Sequence, residues 1–257
     1  MNYLGDSIRR RMSGEYDLHL AFYFNGPDVT SVSRARVRLL VPCGNNVTHL
    51  RDRYDIVALE SPDNARLVPD GWRSVLLPPP FFPLAEKATE PPRGVPTEFF
   101  LTVFNPYDPV KGADDLATAA DSAPLPIVWC HSNRTVEFTI EPRLAQHPNI
   151  IHIDDPSTGE MRALYEHCAA YLSFSRSEGF GWAAADALQY SRAIATRPIG
   201  VFSYPESHQT GVCLVDDFWD FDWSRLEVGS TVAPDRDLTW MSPEVYRRHI
   251  DLLVAEH

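Results

Sequence analysis

Ser173-Phe174-Ser175-Arg176-Ser177-Glu178-Gly179-Phe180-Gly181-Trp182-Ala183-Ala184-Ala185-Asp186-Ala187-Leu188 completes an apolar run, AAYLSF, and passes into an alanine-rich segment. These residues read as a strand, a glycine-containing turn and a helix. Gly179 and Gly181 let the main chain turn sharply and let a ligand approach it closely. The unpaired N–H groups that open the helix carry positive partial charge, which is a seat for a phosphate or diphosphate. Glu178 stands in the turn, and Asp186 follows after seven intervening residues, about one turn into the helix. A carboxylate accepts two hydrogen bonds at once, so each can hold a vicinal diol. One diol would belong to a sugar and the other to a ribose, with the diphosphate between them. Acids near a helix start are favourable in any protein, so this stretch alone leaves a purely structural role open.

Outward from it, the second half alternates strand and helix patterns. Strands are expected over residues 99–104, 127–130, 150–153, 171–174, 193–196 and 212–215, and helices over 113–120, 159–170 and 182–190. Such alternation implies βαβ units and a parallel sheet covered on both faces. The first part holds short apolar runs at 16–23, 37–41, 55–59 and 74–77, which suit buried parallel strands. Between the halves, seven prolines fall within residues 78–97, a stretch that can form neither a helix nor an interior strand. A domain boundary is therefore expected there, giving an N-terminal domain over 1–95 and a second over 96–241. Residues 242–257 read as a helix with Ser242 as cap and Pro243 at its first position; it could return to the N-terminal domain.

SRSEGFGWAAADAL resembles the E-x7-E signature of retaining GT-B glycosyltransferases of the GT4-like group. FNPYDPVKG, residues 104–112, is similar to that family's strand and loop ending in Lys-Gly. YEHCA, residues 165–169, and GVCLV, residues 211–215, resemble the helix before the signature strand and a late strand, so the likeness runs in order over about residues 99–217. It implies an α/β fold of two Rossmann-like parallel-sheet domains facing a cleft, the N-terminal one reduced. It also implies transfer of a sugar from a nucleotide-diphosphate sugar, UDP- or GDP-linked, with retention and with neither metal nor other cofactor. Lys111 would contact the diphosphate and Glu178 the transferred sugar; the main chain of Gly179, Phe180 and Gly181 would cradle sugar and phosphate. Asp186 would hold the ribose, and Ser175, Arg176 and Asn105 are further candidate donor contacts. The second acid is Asp where the family has Glu. The family's arginine before the lysine has no counterpart in residues 104–110, which leaves Arg134 and Arg176 as candidates. Ser191-Arg192-Ala193 stands where Gly-x-Pro is usual, and the family's N-terminal glycine-rich loop is not found.

The chain has 257 residues, 44% hydrophobic and 23% charged, enough for one large or two modest domains. Its net charge of -12 disfavours general nucleic-acid binding. Residues 1–95 nevertheless carry 12 Lys and Arg against 11 Asp and Glu, leaving 11 against 24 for the rest. The arginines of that first part (Arg9, Arg10, Arg11, Arg34, Arg36, Arg38, Arg51 and Arg53) either form a mixed solvated face or offer a patch to an anionic acceptor such as a hydroxymethylated DNA base or a lipid phosphate. Protein and glycan acceptors fit equally, and a non-catalytic sugar-nucleotide binder or a sugar-nucleotide epimerase stands as an alternative. His19 and His49 are candidates for a catalytic contact or are ordinary strand and loop histidines. Asp114-Asp115 and Asp154-Asp155 read better as helix-start and loop acids than as metal ligands. Cys43, Cys130, Cys168 and Cys213 read as small buried hydrophobes. No leader and no membrane span is expected, and the default compartment is the cytoplasm.

Overall fold

A computed structural model describes residues 15–22, 34–42, 53–68, 70–84, 87–132, 139–226 and 234–256. Arg9, Arg10, Arg11, His49, Arg51, Cys43 and Arg134 lie outside the described residues, as does the side chain of Arg34. The chain divides into two compact units, Met1–Pro80 with Met241–His257 and Phe81–Trp240.

In the first unit four parallel strands stand in chain order: β1 (Glu15–Phe22), β2 (Arg34–Val41), β3 (Ile56–Leu59) and β4 (Ser74–Leu76). Register runs Leu18 to Val37, Leu39 to Ile56 and Val57 to Ser74. Side chains alternate across a strand, so Val37, Leu39 and Val41 share one face. There they pack with Ile56, Ala58 and Leu77 against Leu253, Tyr246 and Ile250. Those last three come from the terminal helix, Pro243–Ala255, whose Ser242 hydroxyl accepts from the Val245 amide. The helix thus supplies the apolar cover for this sheet. On the opposite face Leu40 packs with Ala21, Tyr54 and Trp72. His19 is 2% exposed, with its ring edge against Tyr54, so it belongs to this unit's interior. Two of the arginines read as either a solvated mixed-charge face or an anion patch are engaged within this unit. Arg38 forms a two-point pair with Asp55, and Arg36 donates to the Val254 carbonyl.

The second unit holds six parallel strands: β5 (Phe100–Val103), β6 (Ile127–His131), β7 (Ile150–Asp154), β8 (Ala170–Ser173), β9 (Ile194–Thr196) and β10 (Val212–Leu214). Their order is β10-β9-β8-β5-β6-β7. The chain therefore moves outward from β5 to β7, returns to the other side of β5 as β8, and moves outward again. Helices α1 (Ala113–Ser122), α2 (Pro142–Ala145), α3 (Thr158–His167) and α4 (Trp182–Tyr190) connect them, and the terminal helix is α5. Phe100, Trp129 and Leu172 point to the face covered by Leu116 and Ala120 of α1. Tyr171 points to the other face, where it meets Tyr165 of α3. A capping box between Ser157 and Glu160 starts α3.

The units divide earlier than residue 95. Residues beyond Pro80 are tied to the second sheet's helices, with Leu84 accepting from Arg162 and the Thr89 amide donating to the Gly159 carbonyl. Proline content marks where regular structure stops, and these hydrogen bonds decide which unit the stretch joins. The turn after α4, Ser191-Arg192-Ala193, is closed by Arg236. This guanidinium is 8% exposed and donates to the carbonyls of Leu188, Ser191, Arg192 and Thr210. With carbonyls in place of a carboxylate, burial lowers its pKa to about 10. It satisfies the carbonyls that the end of α4 leaves over.

Candidate functional site

Strand order fixes where the chemistry-bearing loops meet. β5 and β8 are neighbours, and their outgoing chains lead to opposite halves of the sheet. Open α/β sheets bind ligands at such a switch point, beyond the carboxyl ends of the strands. The β5 loop carries Lys111 and the β8 loop carries Glu178. Asp108 caps the short 3-10 turn Pro109–Lys111 by accepting from the Val110 amide. Gly112 follows with φ 77° and opens α1.

The two loops are joined through main chain. The Arg176 amide donates to the Val110 carbonyl at 2.7 Å. A Cβ on Gly112 would overlap the Phe174 carbonyl oxygen, so only glycine allows this approach. The result is a two-point ion pair: Lys111 Nζ lies 2.8 Å from both Oε1 and Oε2 of Glu178. Their side chains are 26% and 17% exposed, so the pair sits at the rim, partly desolvated. Gly200, after β9, supports the same loop. Its Cβ would come within 2.5 Å of the Phe180 carbonyl oxygen and 2.9 Å of Glu178 Cβ, and the Val201 amide donates to that Phe180 carbonyl. Phe180 itself is buried and Ser175 is 5% exposed.

Gly181 takes φ 86° and is the N-cap of α4, with no side-chain cap. The first intrahelical bonds run from Ala184 and Ala185 to Gly181, which leaves the amides of Trp182 and Ala183 directed out of the helix end. Asp186 lies one turn further in. Among the described residues no cation pairs with it and no group donates a hydrogen bond to it, while the buried Tyr165 and Tyr171 lie close enough to feel its charge. Burial raises its carboxyl to about 7.

That shift carries a stability sign. Between about pH 4 and 7 the folded chain holds a proton that the unfolded chain has released, so stability falls as pH rises through that window and levels off above it. The full gap corresponds to ~4 kcal/mol, and partial solvent access reduces it to ~2 kcal/mol. Asp186→Asn is expected to match the native chain in thermal melts near pH 4 and to exceed it by that amount at pH 8. A difference that does not change with pH would contradict the buried, uncompensated carboxyl.

Arg176 is held by the first turn of α1. It bonds Asp114 at 2.7 Å and Asp115 at 2.8 Å, and this pairing raises its pKa. Asn105 accepts from the Ser132 amide at 2.8 Å and helps line a cavity of about 280 Å³ at the carboxyl ends of β5 and β6, with His131, Ser132 and Asp155. Burial lowers the His131 pKa, against the opposing pull of Asp154 at 3.4 Å. Of the aspartates read as helix-start and loop acids, Asp114 and Asp115 face Arg176, Asp154 faces His131, and Asp155 accepts from the Ser132 hydroxyl. Cys130 and Cys168 are buried, and burial pushes both thiols up to about 12. Sequence reading missed Asp115 as a partner of Arg176, and it missed Arg197, Gly200 and His131 altogether. Only Gly200 carried a local signal, a glycine closely following a buried strand.

No family model and no curated protein matches this chain. Solved structures do match. Anabaena HepE, in complex with UDP and glucose, aligns at 12% identity over 99% of this chain and 82% of that one, TM-score 0.68. A sucrose-phosphate synthase from Thermosynechococcus elongatus aligns at 15% identity over 94% and 73%, TM-score 0.64. AviGT4, a glycosyltransferase involved in avilamycin A biosynthesis, aligns at 14% identity over 98% and 79%, TM-score 0.61. The fold is thus the α/β architecture of GT-B glycosyltransferases, with a parallel sheet in each unit. No helix among the described residues is long and apolar enough to cross a membrane.

Proposed function

We propose that this chain transfers a sugar from a nucleotide-diphosphate sugar to an acceptor hydroxyl, with retention of anomeric configuration and without a metal. One observation carries the reading: Lys111 and Glu178, 67 residues apart, meet at 2.8 Å at the switch point beside the open end of α4. Lys111 and the outward amides of Trp182 and Ala183 offer positive charge to the diphosphate. Glu178 accepts from hydroxyls of the sugar, and the main chain of Gly179, Phe180 and Gly181 borders both. Asp186 accepts from the ribose hydroxyls, an acceptor that no group among the described residues uses. HepE, similar in fold, was solved with UDP and glucose, which supports a UDP-sugar as the first donor to test.

In the transfer, the bond between the anomeric carbon and the diphosphate oxygen breaks and its electron pair leaves with the nucleoside diphosphate. Lys111 and the helix end stabilise that developing charge, as preorganised donors do in a partly desolvated site. The acceptor oxygen bonds to the same face of the sugar, and its proton passes to the departing phosphate oxygen. Ribose hydroxyls donating to Asp186 favour its ionised form, so nucleotide binding releases a proton and strengthens as pH rises through about 7. The test is a thermal-shift panel of UDP-, GDP-, ADP- and dTDP-sugars at pH 6 and 8, followed by assay of nucleoside diphosphate release. A ligand at 100 times its Kd adds ~2.7 kcal/mol of stability. One donor class that raises the melting temperature, more at pH 8, and then turns over is the expected result. No shift with any of the four would remove the reading.

A further inference from the structure

Beside the Lys111–Glu178 pair lies an ionic arrangement that the donor reading does not use. Asp115, in the first turn of α1, is fully buried and carries a carboxylate. Its Oδ1 accepts from Arg176 at 2.8 Å and its Oδ2 from Arg197 at 2.8 Å. Arg197 reaches further into the same loop. It donates to the Phe174 carbonyl at 2.7 Å and the Ser175 carbonyl at 3.5 Å, and its Nε donates to the Asp216 carbonyl at 3.1 Å. Its guanidinium also stacks over the Phe218 ring, 5.4 Å from the centroid.

The chain positions give this cluster its meaning. Asp115 lies four residues after Lys111, and Arg176 lies two residues before Glu178. The carboxylate therefore ties the helix that follows the lysine to the loop that carries the glutamate, while Arg197 anchors both to β9. A buried ion cluster is costly to desolvate and often adds little net stability over an apolar one. A fully satisfied cluster does impose one arrangement on the segments it joins. Apolar burial could have joined α1 to this loop, but it is non-directional, whereas charge-assisted hydrogen bonds fix the geometry of the groups they join. Misplacement of about 1 Å in a reacting site can cost 10²-fold in rate.

We propose that Asp115 is a positioning residue which, through Arg176 and Arg197, sets the spacing between Lys111 and Glu178. Its role in transfer rests on the donor reading above; the spacing itself does not. The test is a double-mutant cycle of Lys111→Met and Glu178→Gln, read by urea unfolding without ligand, in the native background and in Asp115→Asn. Native coupling of about tenfold in the unfolding equilibrium constant is expected, falling below about twofold in Asp115→Asn. Arg176→Gln removes the exposed arm of the cluster and decides the matter if Asp115→Asn does not fold; there the coupling should fall to about threefold. Tenfold coupling that persists in these backgrounds, or a native coupling below about twofold, overturns the proposal. No donor enters this measurement, so a chain that ignores every nucleotide sugar would sink the donor reading and leave the clamp standing. A chain that turns over a donor while the coupling persists would do the reverse.

Discussion

Lys111→Met is expected to lower nucleoside diphosphate release from the preferred nucleotide sugar by about 10²- to 10³-fold, the usual loss when a preorganised donor to developing charge is removed. Methionine keeps most of the side chain's length and apolar contact, so the fold loses little packing. The charge is what goes. Among the described residues the nearby cations are otherwise engaged: Arg176 is held by Asp114 and Asp115, and Arg197 by Asp115 and main-chain carbonyls. The loss should appear chiefly in kcat, since leaving-group charge grows as the bond breaks. Glu178→Gln, lacking the acceptor charge, should act on the same pair, so the double variant should fall well short of the product of the two single effects. Steady-state kinetics on the three variants checks this. Full turnover in Lys111→Met would place the chemistry elsewhere.

Gly112→Ala should cost on the order of 3 kcal/mol of stability. Two penalties combine there. A left-handed backbone disfavours any side chain by about 1 kcal/mol, and Gly112 has φ 77°. The new methyl would also meet the Phe174 carbonyl oxygen, a main-chain atom that cannot rotate aside. Relief requires the two loops to separate, which pulls Lys111 from Glu178. Gly94→Ala is the matched control, since Gly94 has φ 91° with nothing within 4 Å of its Cβ position. Thermal and urea unfolding of both variants isolates the contact from the backbone strain. Equal losses at the two positions would show that the close approach of the loops is not required.

Much of the second unit was legible because its signals are local. Strand-and-helix alternation placed β5 through β10 within one or two residues, and helix 182–190 was read with the bounds it has. Helix 159–170 was read too long, because Cys168 already adopts extended backbone ahead of β8. Lys111 and Glu178 were both singled out, yet their pairing was not, since it depends on β8 returning beside β5. The same holds for Arg176. From sequence it was a cation next to an anion site, and only the fold shows Asp114 and Asp115 holding it. Arg197 lies 82 residues from Asp115, and Arg236 lies 48 from Leu188; no periodicity encodes such partners. The proline-rich stretch announced a break in regular structure but not which unit would claim residues 81–95. That choice is made by Leu84 and Thr89, which bond to Arg162 and Gly159.

The central claim is that the switch point between β5 and β8 receives a nucleoside diphosphate. Calorimetric titration of UDP into the native chain and into Lys111→Met at pH 8, where Asp186 is ionised, tests it most directly. The account predicts one site on the native chain and affinity at least tenfold weaker in the variant. Equal affinity in the two proteins, or no heat from UDP and none from GDP, ADP or dTDP in its place, would contradict it.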